Sequence, residues 1–536
     1  MDERITALIT QGKELFEKRS SLLGLWQTIA DNFYPERAEF TTTRALGAEF
    51  GADLMASHPV RARRELGDSL SAILRPTSKD WFYARTGGDW DSVGLAERAW
   101  LEKAQKIQKR AIYNYRSQFV QATKEADHDF VTFGQAVIQK SKNKDGDGPL
   151  YRCWHLRDVA WCDDTDGMVA KVYRKWSATI RDVAGTFGNR AHPRILERLA
   201  RSPLDQVDIW HCVIPAGEHQ TPGKTPFVSL YLDPTNNHVM EEVGTYHLGY
   251  VIPRWRRLSG TQYAYSPATL TALYDSRTLQ AMVGVLLEAG EKAVNPPTVA
   301  NKNVFGGAFS LYPGGTTWAD MSDGRIRDHY DLLPMDSSRI PLGLEMAGDI
   351  RNQIDDSLYL SKLRLPPPVD GMTAYEVAKR TEEDIRQTLP LFEPMESEYN
   401  APLMDVTFAD LMRSGSFGPS EDIPPKLIGV SVQFVFESPL RDAVEAAKRQ
   451  LLTEVLGVVA ESQQIDSRSR YLVNVDVGAR DVLNGINTPA TWIRSESEVK
   501  QLADADAEEQ MRAQRLAEEQ QQAMTAKAAG SVQQGP

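Results

Sequence analysis

The chain has 536 residues, of which 41% are hydrophobic, 9% aromatic and 25% charged; this is too long for one compact core, so two or more domains or one large elaborated subunit is expected, and the composition excludes a disordered or membrane class. A formal net charge of −12 excludes a protein that grips nucleic acid over its whole surface, which needs a basic footprint, but it leaves room for DNA as a passing partner repelled by an acidic wall. No stretch approaches the roughly 18 to 20 unbroken apolar residues of a membrane span and Met1-Asp2-Glu3-Arg4 opens no signal pattern, while three cysteines (Cys153, Cys162, Cys212) make no disulfide framework, so a reducing, cytoplasmic site of synthesis is expected.

From Glu3 to Tyr34 the residues Leu8, Leu15, Leu22, Leu25, Trp26 and Ile29 recur at helical spacing, and Pro35 ends the pattern. Further helices are predicted over Arg61 to Leu74, before Pro76, and from about Leu95 to Val131. After Phe133 the pattern alternates. Two hairpins are predicted around Asn143–Gly148 and Asp163–Gly167, and strands at Val207–Ile214, Phe227–Leu232 and Tyr246–Ile252, so 134–255 reads as a β-rich layer.

Ser266-Pro267 is a polar cap followed by proline, and the helix it opens places Leu279, Met282, Val283, Leu286 and Leu287 on one face before Pro296-Pro297. A Gly- and Pro-punctuated insert follows. A second amphipathic helix then repeats Met346, Ile350, Ile354 and Leu358 beside Glu345, Asp349, Asp355 and Asp356. Two such helices, too narrow in apolar face to form a domain alone, would be stabilised by packing against copies in neighbouring subunits. Ser361–Gly371 contains three consecutive prolines and is a loop. Thr373-Ala-Tyr-Glu376 is a capping box opening a helix toward Met412, with breaks predicted at Pro390, Pro394 and Pro402. A strand over Ile428–Phe436 and a helix over Leu440–Val459 follow; the tail from Glu496 is helix-prone and, from about Ala523, disordered.

Catalytic and metal motifs fail on spacing. Gly217 to Thr225 resembles a phosphate loop, but it has five residues between its glycines where four are needed, and Pro226-Phe-Val-Ser-Leu reads as a strand where a helix N-terminus should follow. This disfavours a packaging ATPase. Counting a calcium loop from Asn143 puts Trp154 at the bidentate Glu position, and from Cys162 it puts Tyr173 there. Cys153 with His155 and His211 with Cys212 lack the spacing of a zinc site, which disfavours a metal-binding protein. There is no Gly-x-Ser-x-Gly elbow and no His-Glu-x-x-His, so no enzyme, cofactor or metal is expected.

The segment Pro253-Arg254-Trp255 … Gly260-Thr261-Gln-Tyr263-Ala264-Tyr-Ser266-Pro267 … Ala272-Leu273-Tyr-Asp275 resembles the head-to-tail connector (portal) proteins of short-tailed bacteriophages, with Thr261 and Ala264 where that family favours Glu and Gly. Further pieces in family order are Trp26–Pro35, Lys79–Phe82, Asp158–Gly167, Pro296-Pro297, Met372–Arg380 and Ser438-Pro-Leu-Arg.

The resemblance implies an α+β portal fold of wing, stem, clip and crown, assembled as a dodecameric ring around a central DNA channel. On this chain it implies a wing over 1–265, stem helices over 266–294 and 342–360, a clip over 295–341 and a tunnel loop over 361–372. The wing's long helix and strand fall at 373–437, the crown at 438–500 and the tail at 501–536. Lys362 and Arg364 become the DNA-contact candidates of the tunnel loop, and Glu345, Asp349, Asp355 and Asp356 the channel-facing candidates. The implied partners are further copies of the chain, double-stranded DNA in transit, the terminase large subunit, a tail adaptor or tail tube protein, scaffolding and major capsid proteins, and internal core proteins, with no membrane. The implied location is the unique vertex of the virion, with assembly in the host cytoplasm.

Overall fold

The computed structural model describes residues 3–77, 79–88, 93–143, 145, 146, 148–219, 225–294, 298–300, 330–332, 340–363, 395–437, 439–463, 468, 469, 472–486 and 488–532. Most of the predicted clip, the loop from Arg364 onward, the capping box at Thr373 and the helix it opens as far as Pro394 lie outside the described residues, as do 220–224 of the phosphate-loop mimic. The chain is mixed helix and sheet and divides into two compact units, Met1–Trp81 with Arg110–Ala409, and Phe82–Lys109 with Asp410–Pro536.

In chain order the first elements are α1 (Glu3–Lys18), α2 (Ser20–Phe33), α3 (His58–Leu74), β1 (Phe82–Thr86), α4 (Leu95–Ile112) and α5 (Phe119–Phe133). Two predicted continuous helices are therefore broken, one by a tertiary contact and one by a local cap. Between α1 and α2, Arg19 is buried and donates to the carbonyls of Leu156 (2.6 Å) and Arg157 (2.5 Å); burial lowers its pKa to about 10. Between α4 and α5, the Asn114 side chain accepts from Arg116 N (3.0 Å) and Gln118 turns left-handed at φ 53°, ending one helix and starting the next on Phe119.

The strands β2 (Ile138–Lys142), β3 (Pro149–Cys153), β4 (Val159–Asp163) and β5 (Val169–Thr179) form the two predicted hairpins. Next come α6 (Ile180–Phe187), α7 (Pro193–Leu199), β6 (Gln206–Pro215), β7 (Phe227–Asp233), β8 (His238–Thr245) and β9 (Tyr250–Val251). The sheets run β3-β2-β9 and β4-β5-β6-β7-β8. On one face of the five-stranded sheet lie Ile5, Leu8, Ile9 and Leu15 of α1, packed on Tyr173, Trp210 and Leu230; a second cluster joins Ile180, Val183, Phe187 and Ile195 to Ile209 and Met240. The two short helices and β8 were not predicted. The strand predicted at Tyr246–Ile252 is present as the shorter β9, and β8 is added before it because Asp233 accepts from Thr235 N (3.0 Å) and Asn236 N (3.1 Å) and so closes a β7–β8 hairpin.

After Pro267 the chain makes one π turn, Ala268–Ala272, and enters α8 (Leu273–Val294). A short antiparallel pair, β10 (Thr298–Ala300) and β11 (Tyr330–Leu332), precedes α9 (Ile340–Ser357) and α10 (Leu360–Leu363). The break predicted at Pro402 takes the form of a π turn over Glu396–Asn400 before α11 (Ala401–Arg413), where the proline's missing N–H falls at the change of helix type.

The second unit pairs β1 with β12 (Val432–Phe436), Phe82 opposite Phe436, and contains α12 (Pro439–Gln463), α13 (Val475–Gly485) and α14 (Glu496–Val532). The tail thus stays helical beyond Ala523. Its Ala, Glu, Gln and Lys residues are strong helix formers, which outweighs the exposure of the side chains over 497–521.

Candidate functional site

The residues of the sequence motif converge on one junction in the first unit. Arg254, almost fully buried, donates to Asp163 Oδ2 (2.6 Å), Gly167 O (2.9 Å) and Glu398 Oε2 (3.3 Å). One side chain therefore fastens the β4–β5 hairpin to the turn that opens α11. Arg257 repeats the bridge, with Gly167 O at 2.6 Å and Glu398 Oε1 at 3.0 Å. Burial pushes the Asp163 carboxyl up, and the Arg254 charge pulls it back. Tyr263 packs between Trp161 and Trp26, at 4.5 and 5.9 Å, and Gln262 donates to Trp161 O (2.9 Å).

Gly134 ties this junction to α5. It caps that helix at φ 78°, its carbonyl accepts from Trp255 N (2.8 Å), and it lies so close to Tyr265 and Ser266 that a Cβ there would stand 2.6 Å from Tyr265 C. Ser266 then performs the predicted capping: its Oγ donates to Thr132 O (2.7 Å) and accepts from Thr269 N (3.2 Å). The return helix is fastened at the same level. Tyr359, left-handed at φ 59°, breaks α9 from α10 and stacks on Trp255 at 6.4 Å and 16°.

From this junction α8 and α9 rise as a hairpin. Gly343 meets Leu286 so closely that a Cβ would sit 2.6 Å from Leu286 Cδ2, which fixes which faces look at each other. With about 100° per residue, Val285 and Leu287 fall on opposite flanks of α8, and Leu342 and Leu344 on opposite flanks of α9. All four are exposed, at 65%, 59%, 59% and 56%. The predicted single apolar face is thus split: Leu279 is buried, but Leu287 is not. Met346 is exposed too, because each four-residue step drifts by about 40° and carries it off the face that buries Ile354 and Leu358.

The predicted site residues separate into two sets. Glu345, Asp349 and Asp356 are exposed and share a stripe about 40° wide, on the side of α9 turned away from α8. Asp355 lies about 100° round from Asp356 and accepts from His58 Nε2 at 2.9 Å, its side chain 16% exposed. Lys362 is exposed at the end of α10, its Nζ 5.8 Å from the Tyr359 ring centre. Arg364 lies outside the described residues. Sequence reading missed the Arg254–Asp163 and His58–Asp355 pairs, whose partners stand far apart in the chain. The Thr179-x-x-Asp182 cap of α6, with Asp182 N to Thr179 Oγ1 at 3.2 Å, was a legible signal.

The metal and nucleotide near-misses take structural roles. Phe227 opens strand β7, so no helix follows Gly217–Thr225. Asp164 Oδ1 accepts from Asp166 N and Met168 N, both at 2.9 Å, making a turn. His211 and Cys212 point to opposite faces of β6: the thiol lies in the apolar cluster with Leu230, whereas the imidazole pairs with Tyr250 Oη (2.6 Å) and Ser229 Oγ (2.8 Å) and stacks on Tyr231. Among the described residues no three His, Cys, Asp or Glu side chains group to hold a metal ion.

Burial, and then the Arg174 charge, lower the His211 pKa from 6.5 to about 3. The folded state therefore refuses a proton that the unfolded state accepts, so this group's share of stability falls as pH drops from about 6.5 toward 3. His211→Gln is expected to flatten the stability slope between pH 6 and 4 by about one proton, about 1.4 kcal/mol per pH unit. Denaturant titration at several pH values checks this, and an unchanged slope contradicts it.

Residues 6–493 match the sequence profile described as "Bacteriophage head to tail connecting protein". The chain belongs to that family: it is a bacteriophage head-tail connector. It is similar to a probable portal protein of Bordetella phage BPP-1, 24% identical over 540 residues covering 98% of this chain and 95% of that protein. It is also similar to the portal protein of Salmonella phage epsilon15, 21% identical over 544 residues with 98% and 95% covered. Among solved structures, a chain of the virion of a native gene transfer agent particle aligns with a TM-score of 0.34 at 9% identity, over 80% of this chain and 94% of that one.

Proposed function

We propose that copies of this chain close into a dodecameric ring whose channel passes double-stranded DNA into the head during packaging and out during ejection, a mechanical role and not an enzymatic one. The observation that carries it is the α8–α9 hairpin with exposed apolar residues on both flanks at one height. A helix pair facing water would present polar flanks, whereas a closed ring of identical copies needs two different sticky flanks on each. The acidic stripe of Glu345, Asp349 and Asp356 then has one direction left, away from α8, and there it would line the channel and repel phosphates.

In this reading α8 and α9 are the stem, 295–341 the clip that meets the terminase large subunit and later the tail adaptor, 361–372 the tunnel loop, 438–500 the crown, and 1–265 with 373–437 the wing. Asp355 serves the wing–stem joint through His58 and leaves the channel to the other three carboxylates. The ring sits at one vertex of the virion, with capsid and scaffolding proteins around it.

Leu287 and Leu344 share one flank. Changing both to glutamate places two unpaired charges in every subunit contact and is expected to weaken association by on the order of 100-fold, about 2.7 kcal/mol. Sedimentation reads this as loss of the ring with the monomer's circular dichroism unchanged; intact rings would contradict the reading. Charge reversal at Lys362 and Arg364 is expected to lower DNA filling of heads while rings still assemble, and normal filling removes both from the contacts.

A further inference from the structure

Residues 39–57 form no regular element beyond isolated turns, yet they are held firmly at both ends by glutamines. Gln27 donates to Ala38 O (3.0 Å) and accepts from Phe40 N (2.8 Å) and Thr41 N (3.0 Å). Gln280 on α8 accepts from Met55 N (2.7 Å) and Ala56 N (2.8 Å) and donates to Ala56 O (2.9 Å). Between these clamps the strap turns its apolar side chains outward. Leu46 is fully exposed, Phe50 57% and Met55 56%. An ordered segment with outward apolar residues is a contact surface lacking its partner.

A matching surface exists on the same chain. Tyr274, Ala281 and Val285 are exposed and lie within about 40° of one another on α8. Arg277 stands beside them and, among the described residues, carries no ion pair; the strap's exposed Glu49 and Asp53 likewise carry none. Taking the direction opposite α9 as outward, Gln280 lies about 60° to one side and the stripe's centre about 60° to the other. A strap and its own stripe thus sit on different sides of one helix. Rotation about a ring axis keeps each residue's height, and Gln280 is within about 10 Å of Tyr274, Ala281 and Val285 along α8.

We infer that the strap of each copy clasps the Tyr274–Val285 stripe of the next copy, with Glu49 and Asp53 reaching Arg277. This rests on the ring reading and names its outer contact. It also accounts for the strap's order: the Gln280 clamp sets the strap at the height of its neighbour's stripe.

The test is thiol cross-linking in full-length protein carrying Cys162→Ser. Burial pushes the Cys153 and Cys212 thiols well up, leaving them unreactive. Two double variants, Phe50→Cys with Tyr274→Cys and Met55→Cys with Ala281→Cys, are treated with a short bismaleimide after sedimentation has sorted rings from monomers. The clasp predicts a covalent ladder on denaturing gels from at least one pair, and none from the four single variants. Rings that give no ladder from either pair overturn the clasp and leave the ring standing. Monomers alone overturn the ring reading and the clasp with it.

Discussion

Arg254→Ala is expected to destabilise the first unit by about 3–5 kcal/mol, the range for removing one partner of a buried ion pair. Asp163 Oδ2 loses its donor, Gly167 O and Glu398 keep only Arg257, and the two carboxylates have side chains only 16% and 19% exposed. Arg257 holds Glu398 and acts on Asp163 only through its charge, so the β4–β5 hairpin would be left with a carboxylate that has lost its direct partner. The melting temperature should fall by about 5 °C. Because Trp255 N bonds Gly134 O next to the damaged residue, the base of α8 would shift as well, and ring yield should drop beyond what stability alone explains. Arg254→Lys keeps the charge but cannot span three acceptors, so partial rescue is expected. Calorimetry of the three proteins checks this; a melting point within a degree or two of the parent's in the alanine variant contradicts the role given to this arginine.

Gly134→Ala is expected to cost about 2–5 kcal/mol, from two causes that a control separates. An alanine at φ 78° carries left-handed strain of about 1–2 kcal/mol. Its Cβ would also stand 2.6 Å from Tyr265 C and 2.7 Å from Ser266 N, backbone atoms that cannot rotate away, which adds about 1–3 kcal/mol of overpacking. Gly146 has nearly the same angle, φ 77°, with nothing within 4 Å of the methyl that an alanine would add. Gly146→Ala should therefore show the strain alone. If denaturant unfolding gives the two variants equal losses, the close approach of α5 to the start of α8 is not what holds this junction.

These two residues also mark where sequence reading stops. The hairpins at Asn143–Gly148 and Asp163–Gly167, the strands β6 and β7, and the Ser266 cap were legible because each is written in neighbouring residues: alternation, Asp-Gly turns, a hydroxyl before proline. The breaks at Arg19 and Gln118 were not. Arg19 leaves its helix to meet carbonyls more than a hundred residues away, and nothing local announces that. The β8 strand was hidden by Glu241 and Glu242 in its middle, tolerable only because β8 is the edge of its sheet.

The candidate site divides in the same way. The family motif and the acidic residues of α9 could be named from sequence, but periodicity alone put Leu286 and Leu287 on one face. The close approach of Gly343 to Leu286 is what turns them apart and exposes Leu287 as a flank. Likewise Asp355 and Asp356 look equivalent in sequence. Only the packing of α3 against α9 separates the His58 partner from the solvent-facing carboxylate.

Electron microscopy of the purified chain, viewed down its symmetry axis, tests the central claim most directly. Twelvefold rings with a central opening wide enough for a DNA duplex are predicted, with the α9 carboxylates at its wall. Particles without an opening, or a monomer that persists at high concentration, would contradict it.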